Sequence, residues 1–240
     1  MGRLLLVGNS RWHWAERRGS GLQVWHEAGP PPGTSSPEAT WADVEAWASV
    51  GRLPPQLDLP AGRRLGLEAV PLRDTPPWLG IDRALAGWQA WRQQGAGVLV
   101  ADAGTCLSLT WIDGDGRFRG GRLSAGVALQ LRSLGQATAQ LPQLEKAAAV
   151  AHADGEADPL TADPWPTATA AAMELGCLMA CAATVRQGCR DLQRSGACVR
   201  LWLTGGDAKG LAPLLRAAGL EPVLAPDLAL EGLAALAGLS

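Results

Sequence analysis

No excess of basic charge marks this chain: its 240 residues carry a formal net charge of -2, with a pI near 5.9. A surface built to hold nucleic acid shows a basic footprint, so a nucleic-acid partner is not expected. Five cysteines, at 106, 177, 181, 189 and 198, form no CxxC pair, and an odd set so spaced is neither a disulfide framework nor a zinc site. His13, His26 and His152 share no ligand spacing either. At the amino end the apolar run 4–7 is too short for a secretory signal, so a reducing cytoplasm is the expected location. Residues 168–185 approach membrane-span length, but an alanine-rich segment holding Glu174 reads as a buried core helix, and no membrane partner is expected. Tyrosine is absent and phenylalanine occurs once, against 11 tryptophans, a choice that points to core and interface packing.

What is present is a pattern of strands and helices told twice. Residues 4–7 read as a central strand, with 11–15 and 22–26 as antiparallel followers across an Arg-Gly-Ser-Gly turn. A loop at 29–37 precedes residues 38–50, where Trp41, Val44, Trp47 and Ala48 have helical spacing. Residues 64–70 read as a strand, and DTPPWLG leads into a helix over 81–94. The second half repeats the plan, with strands at 98–101, 106–112 and 117–123, the last two joined by an Asp-Gly hairpin at 113–116. A helix over 126–140 follows. Residues 143–166 then mix a possible short helix with an Asp/Pro-rich loop, before a long helix over 167–193. A strand at 199–203, a helix over 208–218, a short strand at 222–224 and a terminal helix from 228 complete the chain.

The chemistry gathers at glycine turns that end strands. Asp102-Ala103-Gly104-Thr105 joins a buried strand to an alternating one. Such a turn offers N–H groups and a hydroxyl to phosphate beside a carboxylate able to hold a cation. Gly8-Asn9-Ser10 is a weaker copy at the amino end, and Thr204-Gly205-Gly206 lets a backbone lie close against a nucleotide. Three such turns favour a nucleotide cleft. Asp82, at a helix start, reads locally either as a cap or as a carboxylate that accepts a proton from a substrate hydroxyl, with Arg83 placed to hold an acidic substrate.

Taken in order, GNS from Gly8, GIDR from Gly80, DAGT from Asp102, GGRLSAG from Gly120, TAAAMELG from Thr169 and LTGGDA from Leu203 resemble type III pantothenate kinase over nearly the whole chain. The GxDR motif, followed twenty residues after its Asp by the Asp of DxGT, is the most specific part of the match.

The resemblance implies an α/β fold of the actin-like ATPase and sugar kinase superfamily. That fold has two duplicated ribonuclease-H-like domains with mixed five-stranded sheets flanked by helices, here at residues 1–96 and 97–240, and ATP bound between them. It implies phosphorylation of pantothenate by ATP with Mg2+, as a homodimer that needs K+ or NH4+. By the same resemblance Asp82 is the proton acceptor, and Gly80, Ile81, Asp82 and Arg83 bind pantothenate with Thr169, or Thr167 in a second register. Leu6, Val7, Gly8, Asn9, Ser10, Arg11, Trp12 and His13 form the phosphate loop, Thr105 contacts ATP, and Asp102 holds the monovalent cation. Three departures stand out. Leu6 occupies the position where the family carries an acid, Ala125 replaces a proline, and the tyrosine often found upstream of GxDR has no counterpart. The missing acid also motivates an alternative, a catalytically impaired nucleotide-binding regulator on the same scaffold.

Overall fold

In the computed structural model, which describes residues 2–19, 21–28, 41, 43–51, 53, 59–144 and 163–239, nine strands and five α-helices are assigned among those residues. The strands are β1 (Arg3–Val7), β2 (Arg11–Arg18), β3 (Gly21–Ala28), β4 (Val44–Ser49), β5 (Val98–Ala103), β6 (Cys106–Ile112), β7 (Phe118–Ala125), β8 (Arg200–Thr204) and β9 (Val223–Leu224). The helices are α1 (Ile81–Gln94), α2 (Val127–Ala137), α3 (Thr169–Arg194), α4 (Ala208–Ala217) and α5 (Leu228–Leu236). Two compact units result: Met1–Gln93 with Gly116–Phe118 and Asp227–Ser240, and Gln94–Asp115 with Arg119–Pro226.

In the first unit the sheet order is β3-β2-β1-β4, with β1, β2 and β3 antiparallel in sequence and β4 parallel to β1. Because side chains alternate across a strand, Leu5, Val7, Trp12, Trp14 and Trp47 share one face, and they pack with Trp41 and Leu59 into a tryptophan-rich core. Trp14 stacks on Trp25 at 6.0 Å and on Trp41 at 6.1 Å between ring centroids. The 11 tryptophans thus include a packed cluster, as the composition suggested. The other face carries Leu4, Leu6 and the small residues Ala15, Ala46 and Ala48, all buried, and α5 packs on β1, β2 and β4. Gly232 of α5 lets that helix meet α1 closely, since a Cβ there would lie 2.7 Å from the carbonyl oxygen of Leu85.

In the second unit the order is β7-β6-β5-β8-β9, with β5 and β6 antiparallel and β5, β8 and β9 parallel. Leu99, Ala101, Ala103, Leu107, Leu109, Leu201 and Leu203 face a core completed by α2, α3 and α4 through Leu131, Leu178, Val185, Leu211 and Leu215. Both sheets therefore place a parallel strand on the free side of the first strand of a three-stranded meander.

Helix α3 is long and apolar enough to cross a membrane by length and composition, yet Met173, Cys177, Leu178, Cys181 and Val185 form one face buried in this core. Burial pushes the Cys181 thiol up to about 11, with Asp207 and Cys177 adding to the effect, so it sits there as a small apolar side chain.

Two local expectations are corrected. Within residues 38–50, expected to be helical, 44–49 form strand β4; residues 38–40 and 42 lie outside the described residues. The apolar run is buried on both faces, where periodicity cannot separate strand from helix. Residues 64–70, expected as a strand, instead include a single bridge between Arg64 and Trp47, flanked by the 3-10 turns Ala61–Arg63 and Leu67–Ala69. Gly66 and the two turns stop a ladder from extending, so among the described residues the first sheet has four strands where five were expected. The remaining elements fall within a few residues of their expected ends. The loop at 29–37 and most of the mixed segment at 143–166 lie outside the described residues.

Candidate active site

The DAGT and TGG turns of the second unit meet at the carboxyl ends of the parallel strands β5 and β8, where open α/β sheets bind ligands. Asp102 is the register partner of both Ser108 and Thr204, so one carboxylate stands between two hydroxyl side chains on one sheet face. Ser108 and Thr204 are buried, and the Thr204 hydroxyl donates to the Pro226 carbonyl at 3.1 Å. Gly205 adopts φ +91°, and a Cβ there would lie 2.5 Å from Oδ1 of Asp102 and 2.6 Å from the Ala103 carbonyl. The N–H of Asp207 donates to that carbonyl at 2.9 Å, which fixes the start of α4 against the DAGT turn.

Gly126, the last residue of GGRLSAG, closes the turn from below. Its N–H donates to the Thr105 carbonyl at 3.0 Å, and a Cβ would collide with the Gly104 carbonyl oxygen. Thr105 itself is exposed at the tip of the turn.

In the first unit, Gly80 precedes α1 and its carbonyl accepts the first helical bond, from the Ala84 N–H at 3.0 Å. Asp82 lies in the first turn of α1, and its Oδ1 accepts from the Arg83 backbone N–H at 2.9 Å. Burial pushes the Asp82 carboxyl above the usual carboxylate range, against the opposing pull of the Arg83 N–H and guanidinium. Asp82 thus satisfies a neighbouring amide inside the first turn of α1 while burial holds its carboxyl above the ordinary range.

At the amino-terminal turn, Gly8 donates its N–H to the Arg11 carbonyl at 3.0 Å, and a Cβ at Gly8 would lie 2.8 Å from that oxygen. Asn9, Ser10 and Arg11 are exposed, whereas the side chains of Leu6, Val7 and Trp12 are buried and leave only backbone to a ligand. The Val50 N–H donates to Val7 at 2.9 Å, so the ends of the parallel strands β1 and β4 lie side by side at this turn. Thr169 begins α3 and is exposed, as is Thr167 just before it.

Within the second unit the structure thus groups Asp102, Gly104, Thr105, Gly126 and Gly205. Within the first it brings His13 next to His26, a contact that the histidine spacing did not suggest. The readable signal was the hairpin: Arg18 pairs with Gly21, and counting outward from that turn makes His13 the partner of His26. His152 lies outside the described residues.

The family model for type III pantothenate kinase matches residues 52–191, which hold Gly80, Ile81, Asp82, Arg83, Asp102, Thr105 and Thr169. A type III pantothenate kinase of Synechococcus elongatus is 37% identical over 233 residues, covering 90% of this chain and 88% of that protein. Another, from a second Synechococcus strain, is 37% identical over 232 residues, covering 95% of this chain and 89% of that protein. Among solved structures, a protein described as a conserved Baf-family transcriptional activator from Campylobacter jejuni superposes with a TM-score of 0.59 at 16% identity, covering 98% of this chain and 96% of that one. The activator of 2-hydroxyisocaproyl-CoA dehydratase from Clostridium difficile gives a TM-score of 0.52 at 10% identity, covering 98% and 91%. These two likenesses concern the fold alone. With the family model spanning more than half of its length and relatives matching over most of it, the chain belongs to the type III pantothenate kinase family.

Proposed function

We propose that this chain transfers the γ-phosphoryl group of ATP to the primary hydroxyl of pantothenate, with Asp82 as the proton acceptor, giving 4'-phosphopantothenate and ADP at the first step of coenzyme A biosynthesis. Kinase activity follows from family membership. The assignment of Asp82 rests on one observation: a carboxylate at the amino end of α1, raised by burial, next to the guanidinium of Arg83. Gly80, Ile81, Arg83 and Thr169 hold pantothenate in this reading, with Arg83 as the counter-charge to its carboxylate. The backbone of residues 6–13, the Ser10 hydroxyl and Thr105 hold ATP.

Attack by the substrate oxygen on the γ-phosphorus forms the new P–O bond as the bond to ADP breaks, and the hydroxyl proton passes to Asp82. Such a transfer runs through a loose transition state, so alignment and charge stabilisation by turn amides matter more than a strong base.

The residues present fit the two expected ions differently. Among the described residues no three His, Cys, Asp or Glu side chains gather as divalent-metal ligands, and Leu6 is buried where the family carries an acid. Mg2+ needs no such cluster: it would arrive with the nucleotide, held mainly by phosphate oxygens and water. A monovalent cation fits the row Ser108, Asp102 and Thr204, an oxygen-only set with a single carboxylate between two hydroxyls. A K+ or NH4+ ion held there would supply a fixed positive charge.

The matching pairing of the two sheets supports a duplicated ribonuclease-H-like architecture. A cytoplasmic homodimer belongs to the same proposal, with the outer side of α3, where Met179 is 50% exposed, contributing to the contact. The test is ADP release with pantothenate present or omitted, in potassium or sodium salt. Pantothenate-dependent turnover, higher in potassium, is expected; turnover that ignores pantothenate, or none in either salt, overturns the reading.

A further inference from the structure

Next to the Gly8 turn lies a chain of three ionisable side chains that the mechanism above does not use. His13 and His26 are cross-strand partners with their Nδ1 atoms 3.0 Å apart and their rings edge to face. Nε2 of His26 lies 3.8 Å from Oδ1 of Asp227, the residue before α5. Nε2 of His13 lies 3.2 Å from the point a Cβ on Gly8 would occupy, so the far edge of this imidazole packs against the turn.

Two Nδ1 atoms at hydrogen-bond distance share one proton, because one ring must donate and the other accept. The Asp227 carboxylate favours a proton on Nε2 of His26, which makes Nδ1 of His26 the acceptor and Nδ1 of His13 the donor. Neutral His13 then turns a lone pair at Nε2 toward the turn, where a phosphate oxygen, also an acceptor, would be repelled.

We propose that His13 takes up a proton when nucleotide phosphates reach the Gly8 turn, and that its Nε2–H then donates to a phosphate oxygen while Asp227 and His26 fix its tautomer. The proposal rests on the assignment of residues 6–13 to the ATP phosphates. Without ligand, burial, then His26, then Arg11 push His13 down to about 4. Across β1 it faces Leu6, which brings no charge; β3 brings His26, and the start of α5 brings Asp227, itself beside Glu231. The negative charge of a triphosphate opposes the downward push, and an adjacent charge of this kind moves a titration by about 1 to 3 pH units.

The test uses a non-hydrolysable ATP analogue at pH 6, with calorimetry in buffers of different ionisation enthalpy and imidazole NMR of the full chain. His13→Gln, which keeps a donor but cannot carry charge, assigns the His13 resonances and corrects for protons taken by the analogue itself. The expected result is a proton uptake in the wild type that His13→Gln lacks, a higher His13 titration midpoint in the complex, and about tenfold weaker analogue binding by the variant at pH 6. His13 resonances that move on binding with an unchanged midpoint overturn the proposal and leave the phosphate assignment standing. Resonances that do not move while calorimetry records binding overturn the assignment and the proposal with it.

Discussion

Oδ1 of Asp102 lies 2.5 Å from where a Cβ on Gly205 would stand, so the carboxylate takes the space that only a glycine leaves open. The same glycine has φ +91°, which an L side chain rarely adopts. Gly205→Ala is therefore expected to lose about 2 to 4 kcal/mol of stability, by strain and collision with backbone, and to displace Asp102. Urea denaturation and the potassium dependence of turnover check both effects; an unchanged potassium response would separate Gly205 from the cation site.

Asp82→Asn is expected to lower turnover by roughly 10² to 10⁴ while folding is retained. Since burial raises the Asp82 carboxyl, its charged form is disfavoured in the folded protein, and removing that charge should leave the neutral-pH denaturation midpoint at or above wild type. In the parent enzyme, activity should fall as pH drops through a carboxyl range shifted upward. Near-wild-type turnover in the variant would take the proton-accepting role from Asp82.

Leu6→Asp restores the family's acid but places it at a position only 4% exposed, with His13 as its cross-strand neighbour. Burying that charge should cost about 2 to 4 kcal/mol, while pairing with His13 should raise the imidazole's titration midpoint. Chemical denaturation and histidine NMR report the two outcomes separately.

His13 also makes stability depend on pH. Its folded value of about 4 lies below the ordinary 6.5, so the unfolded chain binds more protons between these values. Stability is full above pH 6.5 and declines as pH falls toward 4. The decline should be roughly 1 to 2 kcal/mol, less than the whole shift implies because the ring keeps part of its surface in water. His13→Gln should flatten this part of the profile, measured by urea midpoints from pH 7 to pH 4.

Gly126→Ala drives a methyl group into the Gly104 carbonyl under the DAGT turn. The expected outcome is a rise in KM for ATP of tenfold or more, with a smaller change for pantothenate, because the displaced residue is Thr105. Equal KM values for both substrates in variant and parent would remove Thr105 from the ATP contact.

Much of the fold was legible because its signals are local. The α1 helix and β6 begin and end where the sequence placed them, since Gly80 opens the one and an Asp-Gly turn follows the other. Strand β4 was hidden because Ala46, Trp47 and Ala48 are buried together, and a strand covered on both faces loses its alternation. The glycine turns of the candidate site stand out in the sequence, but the contacts that hold them run across the chain. Nothing near Gly126 in the sequence shows that it supports Gly104, and nothing near Asp102 shows that Ser108 and Thr204 flank it. The His13 and His26 pair required the register of a hairpin, which its turn alone determines.

The stacked indoles of the first unit give it an optical signature of its own. Trp14 lies nearly parallel to Trp25, at 5°, and to Trp41, at 19°, close enough for their transitions to couple, whereas Trp111, Trp165 and Trp202 are the tryptophans of the second unit. Near-ultraviolet circular dichroism is therefore weighted toward the unit that carries Asp82 and the Gly8 turn, which holds eight of the 11 tryptophans, while far-ultraviolet signal follows both, so non-coincident curves would expose a two-stage unfolding without any label.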